Sequence, residues 1–208
     1  MDTLIFLGYE ILSAFLPVLV IFLIVRHHNV QKDIPYTNSH FFAVIVFLLY
    51  IVGVYHFTGA GTIYDGLLYG FTFRQDQLNF IPFSHTIDIV AYLLNILLFI
   101  PLGLLAPLFW QKMTKLTNVI GIASVFTLLI ETSQLLNNRR TDIDDILLNI
   151  LGAIVGYGFY KLLDRLAKSK FQANNQLAAE LPICILTVFA ARFLLFNEMG
   201  LAKLLYGF

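Results

Sequence analysis

The stretch IDIVAYLLNILLFIPLGLLAPLF, residues 87–109, is the part of this sequence that decides the fold class. From Ile89 to Phe109 it contains no charged residue, and Asn95 is its one amide. An α-helix rises about 1.5 Å per residue, so roughly 20 apolar residues cross the hydrocarbon core of a bilayer. The stretch therefore predicts a membrane-spanning helix.

Five further windows have a similar length and composition, although some of them include polar residues. The six predicted spans are Leu4–Val25, Phe41–Phe57, Ile87–Phe109, Leu116–Leu136, Ile143–Leu163 and Leu181–Phe196. Such a series predicts an all-α fold, a polytopic transmembrane helix bundle of about six spans. Because no soluble segment or internal repeat is visible, we predict that residues 1–208 form a single membrane domain.

The overall composition agrees with membrane residence. The 208 residues are 59% hydrophobic and 12% charged, with a mean hydropathy of +0.80, whereas soluble domains are about 25% charged. A soluble chain with so few charges would expose large apolar patches to water. The formal net charge of zero offers no basic face for nucleic acid, and Cys184, as the only cysteine, excludes an internal disulfide. We interpret Cys184 as a packing residue.

The distribution of lysine and arginine predicts the orientation, because these residues accumulate in cytoplasmic loops. With the N-terminus outside, the inner segments hold Arg26, Lys32, Lys112, Lys115, Lys161, Arg165, Lys168 and Lys170. The outer segments then hold only Arg74, Arg139, Arg140 and Lys203. We therefore predict a multi-pass protein with its N-terminus and C-terminus outside.

This topology gathers polar residues at the outer face. The segment from Thr58 to Thr86 alternates phenylalanines with polar residues, namely Asp65, Arg74, Gln75, Asp76, Asn79 and His85. Such a loop either covers a site or anchors the chain at the headgroup level. At the outer end of the fourth span, Glu131 and Gln134 share one helix face. A carboxyl group at that depth requires a partner or a water-filled cavity.

A second polar set begins the fifth span. Asp142, Asp145, Asn149, Gly152 and Gly156 recur at helical spacing and form one continuous stripe. Thr141 or Asp142 is suited to cap the helix, and acids in a first turn favour the positive end of the helix dipole. The two glycines predict close approach of another helix. The stripe either contributes to a site with Glu131 or serves only capping and packing.

The sequence carries an ordered set of motifs through its central part. The segments are Asn79–Phe83, Asn95–Gly103, Glu131–Gln134 and Arg139–Asp145, followed by Asn149, Gly152 and Gly156-Tyr157. Taken in order over about residues 41 to 163, they resemble the VanZ-like family of bacterial membrane proteins. The spans at 4–25 and 181–196 match only as hydrophobic helices and flank this core.

The resemblance implies a protein of the bacterial cell membrane with a role in resistance to teicoplanin and related lipoglycopeptides. The resemblance implies no particular chemical reaction. The residues it carries over are Asn95, Glu131, Gln134, Arg140, Asp142, Asp145 and Asn149. Arg139 is an alternative to Arg140, and Asp144 to Asp145. We favour Asp145 because it lies on the stripe of Asn149.

Two hypotheses from different classes follow. In the first, a non-enzymatic protein surrounded by membrane lipids limits access of a lipoglycopeptide to its target by binding either the drug or a lipid-linked cell-wall precursor at the outer leaflet. Arg139 and Arg140 would then pair with phosphate or carboxylate. In the second, an intramembrane enzyme acts on a lipid or polyprenyl phosphate headgroup. Glu131 would then be the general acid or base, and Asp142 and Asp145 would polarise a nucleophile or hold a divalent cation. No resident cofactor or metal is expected under the first hypothesis.

Overall fold

The computed structural model describes residues 2–31, 37–71, 77–84, 88–167 and 179–207. Almost all of this chain is helical. The helices are α1 (Asp2–Gln31), α2 (Asn38–Thr58), α3 (Ile63–Tyr69), α4 (Ile89–Phe109), α5 (Leu116–Gln134), α6 (Ile143–Leu166), α7 (Glu180–Leu195) and α8 (Glu198–Tyr206). Two short strands, β1 (Leu78–Asn79) and β2 (Thr141–Asp142), pair in parallel.

The all-α fold class and the six predicted spans are confirmed. In the described residues, six helical segments are long and apolar enough to cross a membrane, and they begin at Leu4, Asn38, Ile89, Leu116, Ile143 and Glu180. The short helices α3 and α8 were not predicted. Several residues of the sequence analysis lie outside the described ranges, namely Lys32, Arg74, Gln75, Asp76, His85, Lys168 and Lys170.

The chain divides into two compact units. The first comprises Met1–Phe73, Leu136–Asn138 and Ile183–Phe208, and the second comprises Arg74–Leu135 and Arg139–Pro182. In the first unit α1 packs on α2. Cys184 is fully buried and forms no disulfide, as the packing interpretation requires. Large apolar side chains on the outer surface of α1 are exposed, which suits contact with lipid.

A buried ion pair lies in the first unit. The Arg192 Nε donates to Glu10 Oε1 at 2.6 Å, and both residues are less than 7% exposed. Arg192 Nη1 also donates to the carbonyl oxygen of Ala60, and His56 Nδ1 lies 2.5 Å from Glu10 Oε2. Arg192 lies within the last predicted span, and its side chain faces protein rather than extending to the membrane surface. Sequence reasoning missed Glu10, which connects α1 to both α2 and α7.

The second unit is organised by close contact between α4 and α6. A Cβ added to Gly152 would lie 2.2 Å from the Ile96 carbonyl oxygen, and one on Gly156 would lie 2.0 Å from that of Ile100. Gly103 of α4 faces α6 in the same way, since its Cβ would lie 1.9 Å from the carbonyl oxygen of Ala153. The predicted glycine seam is confirmed, and its partner is α4.

Candidate functional site

The two strands bring the segment before α4 against the start of α6. Leu78 pairs with Thr141, and Asn79 pairs with Asp142. This register places the Asn79 Nδ2 3.1 Å from each carboxylate oxygen of Asp142. Asp142 is also the N-cap of α6, accepting from the Asp144 amide at 3.0 Å, as one of the two predicted caps.

Glu131 lies beneath this pair, near the end of α5. Its side chain is 2% exposed, and its Oε2 accepts a hydrogen bond from the Asp142 amide at 3.2 Å. The Glu131 carbonyl oxygen accepts from Thr141 Oγ1 at 2.8 Å. The carboxyl group predicted to need a partner therefore has one, and that partner is the backbone at the start of α6.

The stripe on α6 continues the site toward the middle of the helices. Asn95 Nδ2 on α4 donates to Asp145 Oδ1 at 2.5 Å. One turn further along α6, Asn149 Nδ2 donates to Thr127 Oγ1 on α5 at 2.9 Å. Asn149 is 1% exposed, and its Oδ1 has no hydrogen-bond partner among the described residues. α4, α5 and α6 thus all contribute polar side chains to one region.

These six residues form a cluster that we call the acid–amide cluster, comprising Asn79, Asn95, Glu131, Asp142, Asp145 and Asn149. It is rich in hydrogen-bond acceptors, because all three asparagine Nδ2 groups already donate within the protein. The charges of Asp142 and Asp145 also act on Glu131, so the carboxylates repel one another when ionised. A ligand that donates hydrogen bonds or carries positive charge would relieve that repulsion.

The other predicted site residues lie at the edge of the cluster. Gln134 is buried at the end of α5, and its carbonyl oxygen accepts from the Arg139 amide at 3.2 Å. Arg139 is exposed, and its charge acts on both Glu131 and Asp145. Arg140 is exposed beside it. Of the two adjacent arginines left open by the sequence, Arg139 is therefore the one coupled to the carboxylates.

Asp144, the alternative to Asp145, has a different position and binds the loop that precedes α4. It is 1% exposed and accepts hydrogen bonds from the Phe83 amide at 2.9 Å and from Tyr92 Oη at 2.5 Å. Phe83 has a φ of 56°, a left-handed conformation that is strained for a residue with a side chain. Asp144 stabilises that conformation, whereas Asp145 belongs to the acid–amide cluster.

A family model matches residues 41–164, which contain the whole acid–amide cluster. The model is described as VanZ/LLP1. The chain belongs to the VanZ/LLP1 family. No curated protein and no solved structure matches the chain. The VanZ/LLP1 match agrees with the predicted core of about 41–163, and α1, α7 and α8 lie outside it.

Within this VanZ/LLP1 core, sequence reasoning missed Asn79 and Tyr92 as contributors to the site. Asn79 belongs to one of the family motifs, but its role depends on pairing with a residue 63 positions later. Tyr92 lies one turn before Asn95 on α4, and that spacing was the available signal. In the described part of the chain, no three His, Cys, Asp or Glu side chains are grouped as metal ligands. A cation held by Asp142 and Asp145 alone stays a hypothesis.

The contacts of Asp144 lead to a prediction about loop order. Asp144→Ala should increase amide hydrogen exchange at Phe83 by about tenfold or more, because a hydrogen bond to a charged acceptor contributes roughly 1.5–3 kcal/mol. Asp88→Ala is the control, since Asp88 caps α4 through the amides of Val90 and Ala91. Unchanged exchange at Phe83 in the first variant would contradict the role given to Asp144.

Proposed function

We propose that this VanZ/LLP1 family protein lowers the action of teicoplanin and related lipoglycopeptides at the cell surface. It does so by binding either the drug or the lipid-linked cell-wall precursor that is the target of the drug. The observation that carries the proposal is an acceptor-rich polar cluster beside an exposed apolar loop. That combination suits an amphiphilic ligand with a hydrogen-bonding head and an apolar tail.

The acid–amide cluster would bind the polar part of such a ligand. Asp142 and Asp145 are partly exposed, and their carboxylates accept hydrogen bonds from hydroxyl and ammonium groups. Sugars and amines supply such donors, and both occur in glycopeptides and in cell-wall precursors. Arg139, which is exposed at the edge, provides the complementary charge for a phosphate or carboxylate on the same molecule.

The loop between β1 and α4 would contact the apolar part of the ligand. Phe80, Ile81 and Phe83 are 71%, 68% and 57% exposed. The loop that carries them is joined to the cluster, because Asn79 donates to Asp142 and the Phe83 amide donates to Asp144. An acyl chain or aromatic group therefore has an apolar surface next to the acceptors that would hold its polar head.

A second candidate function rests on the burial of Glu131. A carboxyl group that is 2% exposed and close to two aspartates is a reasonable general acid or base for a lipid or polyprenyl phosphate headgroup. In that function Asp142 and Asp145 polarise the nucleophile or hold a divalent cation. The three carboxylates of Glu131, Asp142 and Asp145, rather than Arg139, are then the catalytic groups.

The test is the minimum inhibitory concentration of teicoplanin and of vancomycin in a susceptible bacterium that expresses the protein. We expect the wild type to protect selectively against teicoplanin. The variants are Asp145→Asn, Glu131→Gln and the pair Arg139→Ala with Arg140→Ala, matched for abundance in the membrane. Asp164→Asn is the control, because it removes one carboxylate from the far end of α6.

The pattern among the variants separates the two functions. For a binder, Asp145→Asn should weaken teicoplanin or precursor binding in nanodiscs by about tenfold or more, given the strength of charged hydrogen bonds. The arginine pair should then matter more than Glu131→Gln. For an enzyme, Glu131→Gln should abolish turnover of a labelled polyprenyl phosphate while the protein remains folded. No protection and no binding by well-inserted wild type would overturn the binding proposal.

A further inference from the structure

A cavity of about 710 Å³ lies in the second unit, at the opposite end of α5 from the acid–amide cluster. Its polar end is lined by Lys112, Lys115 and Asn118, and its apolar end by Gly121, Val125 and Pro182. From this arrangement we infer that the cavity binds an anionic phospholipid of the bilayer. The two lysines contact the phosphate of the headgroup, and one acyl chain lies along α5. This inference is independent of the proposed function.

The position of the lysines in the fold places them at the level of the headgroups. α4 ends at Phe109 and α5 begins at Leu116, and both helices are candidate membrane spans. The turn that joins them must therefore lie at a membrane face. Lys112 and Lys115 are exposed in this turn, where two positive charges attract anionic lipid.

The turn is held in place by contacts that do not involve the lysine side chains. Asn118 Nδ2 donates to the Lys112 carbonyl oxygen at 2.6 Å, and Tyr157 Oη donates to that of Thr114 at 2.7 Å. Lys115 also occupies the N-cap of α5 without a capping side-chain hydrogen bond. The positive end of the α5 dipole therefore adds to the charge of the lysines.

The apolar end of the cavity extends along α5 over about the thickness of one leaflet of the bilayer. Gly121 and Val125 lie six and ten residues beyond Lys115, which corresponds to about 9 and 15 Å along the helix. Half of the hydrocarbon core of a bilayer is also about 15 Å thick. A phospholipid whose phosphate contacts the lysines would thus have its acyl chain beside Gly121 and Val125.

Gly121 leaves room for that chain. No atom lies within 4 Å of a Cβ added at this position, and Val125 is 46% exposed. The absence of a side chain at Gly121 therefore makes a depression in the surface of α5. A larger residue fits there without disturbing the protein, which allows the acyl site to be filled separately from the charge.

The experiment measures phospholipid retained by the full chain in native mass spectrometry after exchange into nanodiscs of equal phosphatidylglycerol and phosphatidylcholine. We expect bound phosphatidylglycerol in the wild type. The pair Lys112→Gln with Lys115→Gln should reduce its affinity roughly thirtyfold, given the effect of one lysine at an anionic surface. Gly121→Leu should reduce it by about tenfold, because the leucine occupies the space of several methylene groups.

Two matched controls make the result decisive. Lys161→Gln with Arg165→Gln removes the same charge from α6, and Gly158→Leu adds the same side chain at another open glycine. Neither should change retention. Equal losses in test and control pairs would show general surface attraction and overturn the inference. Unchanged phosphatidylglycerol retention in Gly121→Leu would contradict the proposed position of the acyl chain. Displacement of phosphatidylglycerol by inorganic phosphate would show that the site binds phosphate rather than a lipid.

Discussion

Gly156→Ala is expected to lower the free energy of unfolding by about 3 kcal/mol, at the upper end of the usual cost of overpacking. The new Cβ would lie 2.0 Å from the Ile100 carbonyl oxygen and 3.0 Å from the amide nitrogen of Leu104. Both atoms belong to the backbone of α4, so no side chain can turn away to make room. The helices α4 and α6 must separate instead.

The measurement is unfolding of the purified protein by SDS titration, followed by circular dichroism. Gly158→Ala is the control, because it lies on the same helix and no atom is within 4 Å of its added Cβ. This control should be neutral or slightly stabilising, since alanine favours helix more than glycine does. Equal stabilities of the two variants would contradict the assigned contact between α4 and α6.

Separating the two helices should also affect the site. Asn95 on α4 and Asp145 on α6 are joined by a hydrogen bond of 2.5 Å, which a displacement of about 1 Å would weaken strongly. We therefore expect Gly156→Ala to weaken the binding proposed for teicoplanin or the precursor as well as to lower stability. The glycine seam thus positions the acid–amide cluster in addition to stabilising the fold.

Arg192→Met is expected to destabilise the protein by a similar amount, about 3–5 kcal/mol, because it leaves the buried Glu10 carboxylate without its arginine partner. Arg192 Nε and Glu10 Oε1 are 2.6 Å apart, and both side chains are more than 90% buried. His56 remains near Glu10 Oε2 at 2.5 Å, so the loss should increase when His56→Phe is added.

The double variant Glu10→Leu with Arg192→Met tests whether the cost comes from the uncompensated charge. It should recover most of the stability, because replacing both members of a buried ion pair by apolar residues is often neutral. Arg26→Gln is the control. Its guanidinium bonds to Asn38 in an exposed contact, which should contribute less than about 1 kcal/mol. A double variant as unstable as Arg192→Met would contradict the ion-pair explanation.

The sequence predicted the features that depend on neighbours along one helix. The six spans followed from runs of apolar residues, and the cap of the fifth span was narrowed to Thr141 or Asp142, of which the structure has Asp142. The stripe through Asp145, Asn149 and Gly156 followed from helical spacing. In each of these cases the controlling interactions are hydrogen bonds and side-chain positions within about four residues.

The separate roles of adjacent candidates could not be predicted in the same way. Helical spacing favoured Asp145 over Asp144, but the role of each acid follows from its partners, which are Phe83 and Tyr92 for Asp144 and Asn95 for Asp145. The same holds for Arg139, whose nearness to the carboxylates depends on the path of the chain after α5.

The sequence alone determined that this chain is a helical membrane protein with a polar stripe on its fifth span, because composition and periodicity report on single helices. Its ordered motifs added the resemblance to the VanZ-like family. Only the tertiary structure decided which polar groups meet. Glu10 and Arg192 are 182 residues apart, and Asn79 and Asp142 are 63 apart. Their attraction acts over a few ångströms, so it becomes effective only after packing has brought the helices together.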